Sequence, residues 1–135
     1  MHTVFPAAAA AAFVIFVVVD FIWLSNAARW IYRPHIGKLL LDQPALMPAV
    51  VFYLLYGVGL AFLVVRPAIA AGSVVSALLM GALFGLVAYG TYDLTNQATL
   101  RVWPVEITLI DLCWGTLLTS VTAIAGYFGA MMVRG

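Results

Sequence analysis

Four long apolar stretches, separated by short polar or proline-bearing links, dominate the chain. The first covers about residues 4–24, interrupted only by Asp20, with Pro6 in its opening turn, where a missing N–H costs no intrahelical bond. The second covers about 47–65 and closes at Arg66 and Pro67. The third, about 73–92, ends in Asp93, Leu94, Thr95, Asn96 and Gln97, and the fourth, about 104–133, opens at Pro104 and carries Glu106 and Asp111. A bilayer core of ~30 Å takes ~20 apolar residues in a helix, so each stretch is long enough to cross. The pattern predicts an all-α, polytopic four-transmembrane-helix bundle forming a single membrane domain over residues 1–135. Residues 26–48 are mixed: Arg29, Trp30, Tyr32, Arg33, His35 and Lys38 precede three leucines, which predicts an interfacial segment between the first two spans, with Pro34 and Pro44 as breaks.

Small residues say where the spans should touch. Helices in lipid associate through close van der Waals approach, not through a hydrophobic force, so small side chains mark contacts. On the third span Ser73, Ala77, Gly81 and Gly85 recur every four residues; on the fourth, Gly115 and Thr119, then Thr122, Gly126 and Ala130, continue the theme. Internal packing is the expected use of these stripes, and a homo-oligomer or larger membrane complex through Ala77, Gly81 and Gly85 is the alternative.

Composition agrees with this reading. Of 135 residues 66% are hydrophobic and 8% charged, against about 25% charged in soluble domains, and the mean hydropathy is +1.14. A net charge of +1 from six Lys and Arg excludes a nucleic-acid surface, which needs a clustered basic face. Cys113, the lone cysteine, has no partner for an intrachain disulfide and reads as a packing residue. The Ala-rich residues 4–19 lack the basic flank of a cleaved signal peptide, since the first Lys or Arg is Arg29; they read as an uncleaved first span. Arg29, Arg33, Lys38 and Arg101 fall on one side of the bundle, and Arg66, Arg134 and the terminal amine on the other. By the positive-inside rule this places the first group in the cytoplasm and both termini in the periplasm of a bacterial inner membrane.

The carboxylates carry the candidate chemistry. Alternating spans bring Asp20, Asp93, Glu106 and Asp111 to one half of the bundle, with Asp42 in a link on that side. At 1.5 Å per residue Asp20 lies about 7 Å inside Ser25 and Asp111 about 10 Å inside Pro104. A charge at the centre of a span costs ~2.5–3.5 kcal/mol on the insertion scale, so Asp20 and Asp111 are expected to face inward and find partners. Trp23 and Trp114 lie three residues after these aspartates, and Tyr89, Asp93 and Asn96 share one face of the third span. Arg29, Arg33 and Arg101 are expected to reach in from the same interface as an ion-pair network. Protonation of the carboxylates is an alternative, as is a metal held with His35, although no His-rich or Cys-rich spacing supports a metal. His2 reads as part of a solvated terminus and His35 as a headgroup contact; Trp30, Trp103, Tyr32 and Tyr53 suit an aromatic belt. No nucleophile elbow, phosphate loop, zinc pair or dinucleotide fingerprint occurs, and the sequence leaves any cofactor unknown.

Several of these segments together resemble a known family. They are Asp20-Phe-Ile-Trp-Leu24; Tyr32-Arg33-Pro34 with Ile36-Gly37 and Leu39-Leu40; Phe52-Tyr53-Leu-Leu-Tyr56; Gly81-Ala-Leu-Phe-Gly85; Tyr92-Asp93-Leu-Thr-Asn96 with Ala98-Thr99-Leu100; Trp103-Pro104; and Asp111 with Trp114-Gly115. The set is similar to the bacterial membrane proteins of domain-of-unknown-function family 2177 across nearly the whole chain. The resemblance implies a small four-span inner-membrane protein and supplies no activity, substrate or catalytic residue.

The leading functional expectation is therefore binding of a membrane lipid or other amphipathic small molecule at a polar cavity. Arg29, Arg33 and Arg101 would hold an anionic headgroup, and Asp20, Trp23, Tyr89, Asp93, Asn96, Asp111 and Trp114 would form the wall. The alternatives are a membrane enzyme using paired carboxylates on a lipid-like substrate, a proton-coupled transporter, and an accessory subunit of a membrane complex.

Overall fold

Each apolar stretch becomes a helix in the computed structural model, which describes residues 3–135; His2 lies outside them. The four helices are α1, Val4–Leu39; α2, Leu46–Ala71; α3, Val74–Thr99; and α4, Val105–Arg134, all long and apolar enough to cross a bilayer. Their large outward side chains, Leu55, Leu63, Leu79 and Met132 among them, are exposed, as expected where the solvent is hydrocarbon.

The links follow turn chemistry. Between α2 and α3, Gly72 adopts φ +61°, a left-handed conformation that costs glycine least. This lets the Ser73 N–H return to the Ala68 carbonyl at 3.1 Å. Ser73 then caps α3, its Oγ accepting from the Ser76 N–H at 3.1 Å. Pro104, extended at ψ 139°, is the residue from which α4 starts. Pro44 also falls in a break, since the chain is extended at Leu40 and Ala45 before α2 begins.

Pro34 and Pro67 do not end helices, which differs from the sequence expectation. Both α1 and α2 continue through them, because each proline follows a widened π turn of five residues, Ala28–Tyr32 and Ala61–Val65. In these turns the Arg33 N–H donates to the Ala28 carbonyl and the Arg66 N–H to the Ala61 carbonyl, five residues back instead of four. A proline in a regular helix collides with the carbonyl four residues before it; a π turn opens that part of the ladder and takes up the ring. Thus α1 runs 36 residues, about 54 Å at 1.5 Å each, and the expected interfacial segment is largely its final turns. Likewise α3 extends past residue 92 through Asp93, Asn96 and Gln97, and Thr91, Thr95 and Thr99 return their hydroxyls to carbonyls of the preceding turn.

The helix at the centre is α4. Half of its most apolar window is buried, against 17–28% for the other three helices, so α4 forms the axis on which they pack. Glycines set the spacing. A Cβ at Gly85 would sit 2.2 Å from the Gly115 carbonyl oxygen, and one at Gly81 would sit 2.9 Å from the Thr119 carbonyl, so α3 and α4 meet backbone to backbone. Nearer the C-terminal end of α4, Gly126 and Gly129 receive Ala12 and Ala11 of α1. The stripe of Ala77, Gly81 and Gly85 is accordingly buried inside the bundle. Phe16, Leu60, Val64, Val65 and Leu118 fill the remaining interior.

Candidate functional site

Antiparallel packing of α1 against α4 puts two Asp-x-x-Trp segments opposite each other, Asp20 to Trp23 and Asp111 to Trp114. The two indoles stack with ring centroids 4.3 Å apart and planes at 11°. Their hydrogen bonds tie α1 to α4, one directly and one through a tyrosine. Trp114 of α4 donates its Nε1–H to Asp20 Oδ1 of α1 at 3.4 Å. Trp23 donates to the Tyr32 hydroxyl at 3.2 Å, and Tyr32 in turn donates to Asp111 Oδ1. A second phenol, Tyr53 of α2, donates to Asp20 Oδ2 at 2.6 Å. Each carboxylate is thus held by neutral donors from other parts of the fold.

These donors stand where the sequence suggested arginine. Asp20 and Asp111 are both only 5% exposed and Asp93 is 0% exposed, whereas Arg29, Arg33 and Arg101 lie on the surface. Arg29 instead lies over the Trp30 ring, 5.8 Å from its centroid. The physical reason is the path of α1. Because the helix continues beyond the membrane end of the first apolar stretch, Arg29 and Arg33 turn toward the surface while Tyr32, at the end of the π turn, is directed inward.

Between α1, α2, α3 and α4 lies a cavity of about 310 Å³. Asp20, Asp111, Tyr32 and Tyr53 supply its polar atoms; Trp23, Tyr89, Tyr92, Trp103 and Trp114 supply ring surfaces; Leu24, Ile36, Leu40, Ala49 and Phe52 complete the lining. Leu24, Leu40 and Phe52 are themselves 39–46% exposed, so the apolar rim continues onto the outer surface of the bundle. Tyr89 reaches the cavity because its ring lies flat over Gly115, where a Cβ would come within 2.2 Å of it. Asp93 is placed behind the wall, beside Asp111, and among the described residues neither of its oxygens has a hydrogen-bond partner.

Of the candidates drawn from the sequence, Asp20, Trp23, Tyr89, Asp111 and Trp114 meet at this cavity. Asp93 adjoins it, Asn96 is half-buried one turn further along α3, and the three arginines do not line it. No group of three or more His, Cys, Asp and Glu side chains that could hold a metal ion occurs among the described residues.

The family of predicted membrane proteins designated DUF2177 matches residues 5–128, a range that holds every residue of the cavity. The chain belongs to this family. Its members are described as membrane proteins of unknown function, which agrees with the four spans and leaves the reading of the site to its chemistry. No curated protein and no solved structure matches the chain.

Sequence reasoning missed Tyr32 and Tyr53 as site residues, assigning them to an aromatic belt. The spacing of Trp23 and Tyr32, nine residues apart, pointed away from a shared site. A regular helix turns 100° per residue and so places them 180° out of phase. Only a local change in helical pitch brings both to one cavity, and the Arg33-Pro34 pair marks where that change occurs.

Proposed function

We propose that this protein binds a lipid or another amphipathic small molecule in the cavity between its four helices, on the cytoplasmic side of a bacterial inner membrane. What carries the reading is one arrangement: a cavity of about 310 Å³ lined by two carboxylates, four tyrosines and three tryptophans, with an apolar rim exposed on the outer surface of the bundle. Ligand sites are characteristically apolar concavities with a few convergent polar groups, and this cavity has that composition. Charge supports this side of the membrane: Arg29, Arg33, Lys38 and Arg101 flank the cavity end, while Arg66 and Arg134 mark the other.

The test is native mass spectrometry of gently extracted protein, alongside a variant that fills the cavity without touching its charges. Ala49→Trp places an indole into the space from the α2 wall. The wild type is expected to retain an amphiphile that Ala49→Trp loses. Absence of any retained molecule from the wild type, together with no saturable uptake of added single-chain amphiphiles, would contradict the proposal.

A second reading is acid–base chemistry on such a molecule, favoured by the presence of two carboxylates on one cavity, each already hydrogen-bonded to a tyrosine. Mass analysis of a bound amphiphile before and after incubation separates the readings: recovery of an unchanged molecule supports binding alone.

A further inference from the structure

We propose that the cavity selects amphiphiles with a cationic, ammonium-type head, an inference that rests on the amphiphile-binding reading above and specifies its chemistry. The sign of the site is the first ground. The ionisable side chains lining the cavity are two aspartates and four tyrosines; no lysine, arginine or histidine is among them. Asp93, fully buried beside Asp111, lies immediately behind the wall and brings no cation to the site. An anionic head entering this space would meet acceptor oxygens without a compensating cation, and burying charge in that way is strongly unfavourable.

The second ground is the acceptor capacity that remains. A carboxylate offers about four lone-pair sites. Asp20 uses one on the Tyr53 hydroxyl and one on the distant Trp114 N–H at 3.4 Å, and the Oδ1 of Asp111 takes the Tyr32 hydroxyl. Both carboxylates therefore keep unused acceptor positions, and an ammonium group carries donors and no acceptor.

The third ground is aromatic and independent of the carboxylates. Tyr89, Tyr92, Trp103 and the Trp23–Trp114 stack surround the same space. Ring faces attract cations through their quadrupole, more strongly in a desolvated site, and aromatic enclosures are a recurrent means of holding alkylammonium groups. The tail has a separate place, because Leu24, Leu40 and Phe52 lead from the cavity to the exposed surface. A soluble amine without a chain would lose those contacts.

The fluorescence of the three cavity tryptophans reads occupancy directly in the full-length protein. Decylammonium, decyl phosphate and decanol share one chain and differ in the head; ethylammonium carries the head without the chain. Titration in nanodiscs is expected to give saturable binding of decylammonium about tenfold or more tighter than decyl phosphate or decanol, as charge-assisted hydrogen bonds exceed neutral ones. Ethylammonium is expected to bind more weakly than decylammonium. Equal or tighter binding of decyl phosphate or decanol would overturn the cationic head while leaving amphiphile binding in place. Equal binding of ethylammonium would overturn the amphiphile and point to a soluble amine. Failure of every decyl compound to saturate would overturn both readings. The wild-type comparison needs no variant; Asp20→Asn, examined only if it retains the wild-type Tm, is expected to remove the preference for decylammonium.

Discussion

Two carboxylates placed inside a membrane bundle require hydrogen bonds, and at the residue scale those bonds are the site. Tyr53 and Trp114 hold Asp20; Tyr32, itself held by Trp23, holds Asp111. Interhelical hydrogen bonds within membranes contribute on average ~0.6 kcal/mol and at most about 1.7. Tyr53→Phe, which removes one donor from a carboxylate, is therefore expected to cost about 1 kcal/mol and lower the Tm by a few degrees in detergent. Gly115→Ala should be worse. Its new methyl would sit 2.2 Å from the Tyr89 ring, so the ring must leave the cavity wall. Overpacking of this kind costs about 1–3 kcal/mol. Thermal unfolding monitored by circular dichroism ranks the two variants, and a larger loss for Tyr53→Phe would contradict the packing argument.

Much of this residue-scale picture was readable in the sequence, though unevenly. Asp20, Trp23, Asp111 and Trp114 announce themselves as polar or amphipathic residues inside apolar runs. The tyrosines do not, because Tyr32 and Tyr53 near a membrane interface have an equally good role facing the headgroups. The arginines mislead for the opposite reason. Coulomb attraction makes them obvious partners for aspartate, but a long cation remains hydrated at the interface at little cost, whereas bringing it inside requires desolvation. Phenol and indole donors carry less desolvation penalty, and here they provide the bonds.

At the scale of elements, the helices were visible as apolar runs and their ends were not. Prolines at 34 and 67 suggested breaks, yet the π turns at Ala28–Tyr32 and Ala61–Val65 carry both helices past them. Such a turn depends on hydrogen bonds five residues apart and leaves no simple period in the sequence. The small-residue stripes were more informative, since close approach requires small side chains wherever it occurs. Gly85 is the tightest such point between α3 and α4, with the Gly115 carbonyl in the way of any Cβ. Because that obstruction is backbone, the helices themselves must move apart, and Gly85→Ala is expected to destabilise by more than 2 kcal/mol, at the upper end of the usual ~1–3 kcal/mol overpacking range. Gly37→Ala provides the contrast. Its Cβ meets only Arg33 Cβ at 3.9 Å, and a helical glycine replaced by alanine gains about 0.5–1 kcal/mol, so this variant is expected to match or exceed wild-type stability.

At the scale of the whole molecule, the bundle has two unlike halves. One is packed by Ala8, Ala12, Phe16, Leu60, Val64 and Leu118; the other contains the cavity and the buried aspartates. Four spans put both chain ends on the same side, away from the cavity. With the cytoplasmic placement of Arg29, Arg33, Lys38 and Arg101 proposed above, alkaline phosphatase fused at the C-terminus is expected to be active, and the same reporter inserted after Gln43 inactive. The reverse pattern would invert the orientation and leave the cavity unaffected.

The most direct measurement of the central claim is photolabelling with a single-chain amphiphile that carries a diazirine near its head, followed by peptide mapping. Occupation of the cavity predicts labels concentrated on the peptides containing Ala49 and Tyr53, Tyr89 and Tyr92, and Trp103, with competition by unlabelled amphiphile and loss in Ala49→Trp. Uncompeted labelling spread over the outward residues Leu55, Leu83 and Leu117 would show an amphiphile that only coats the bundle, and would contradict the account.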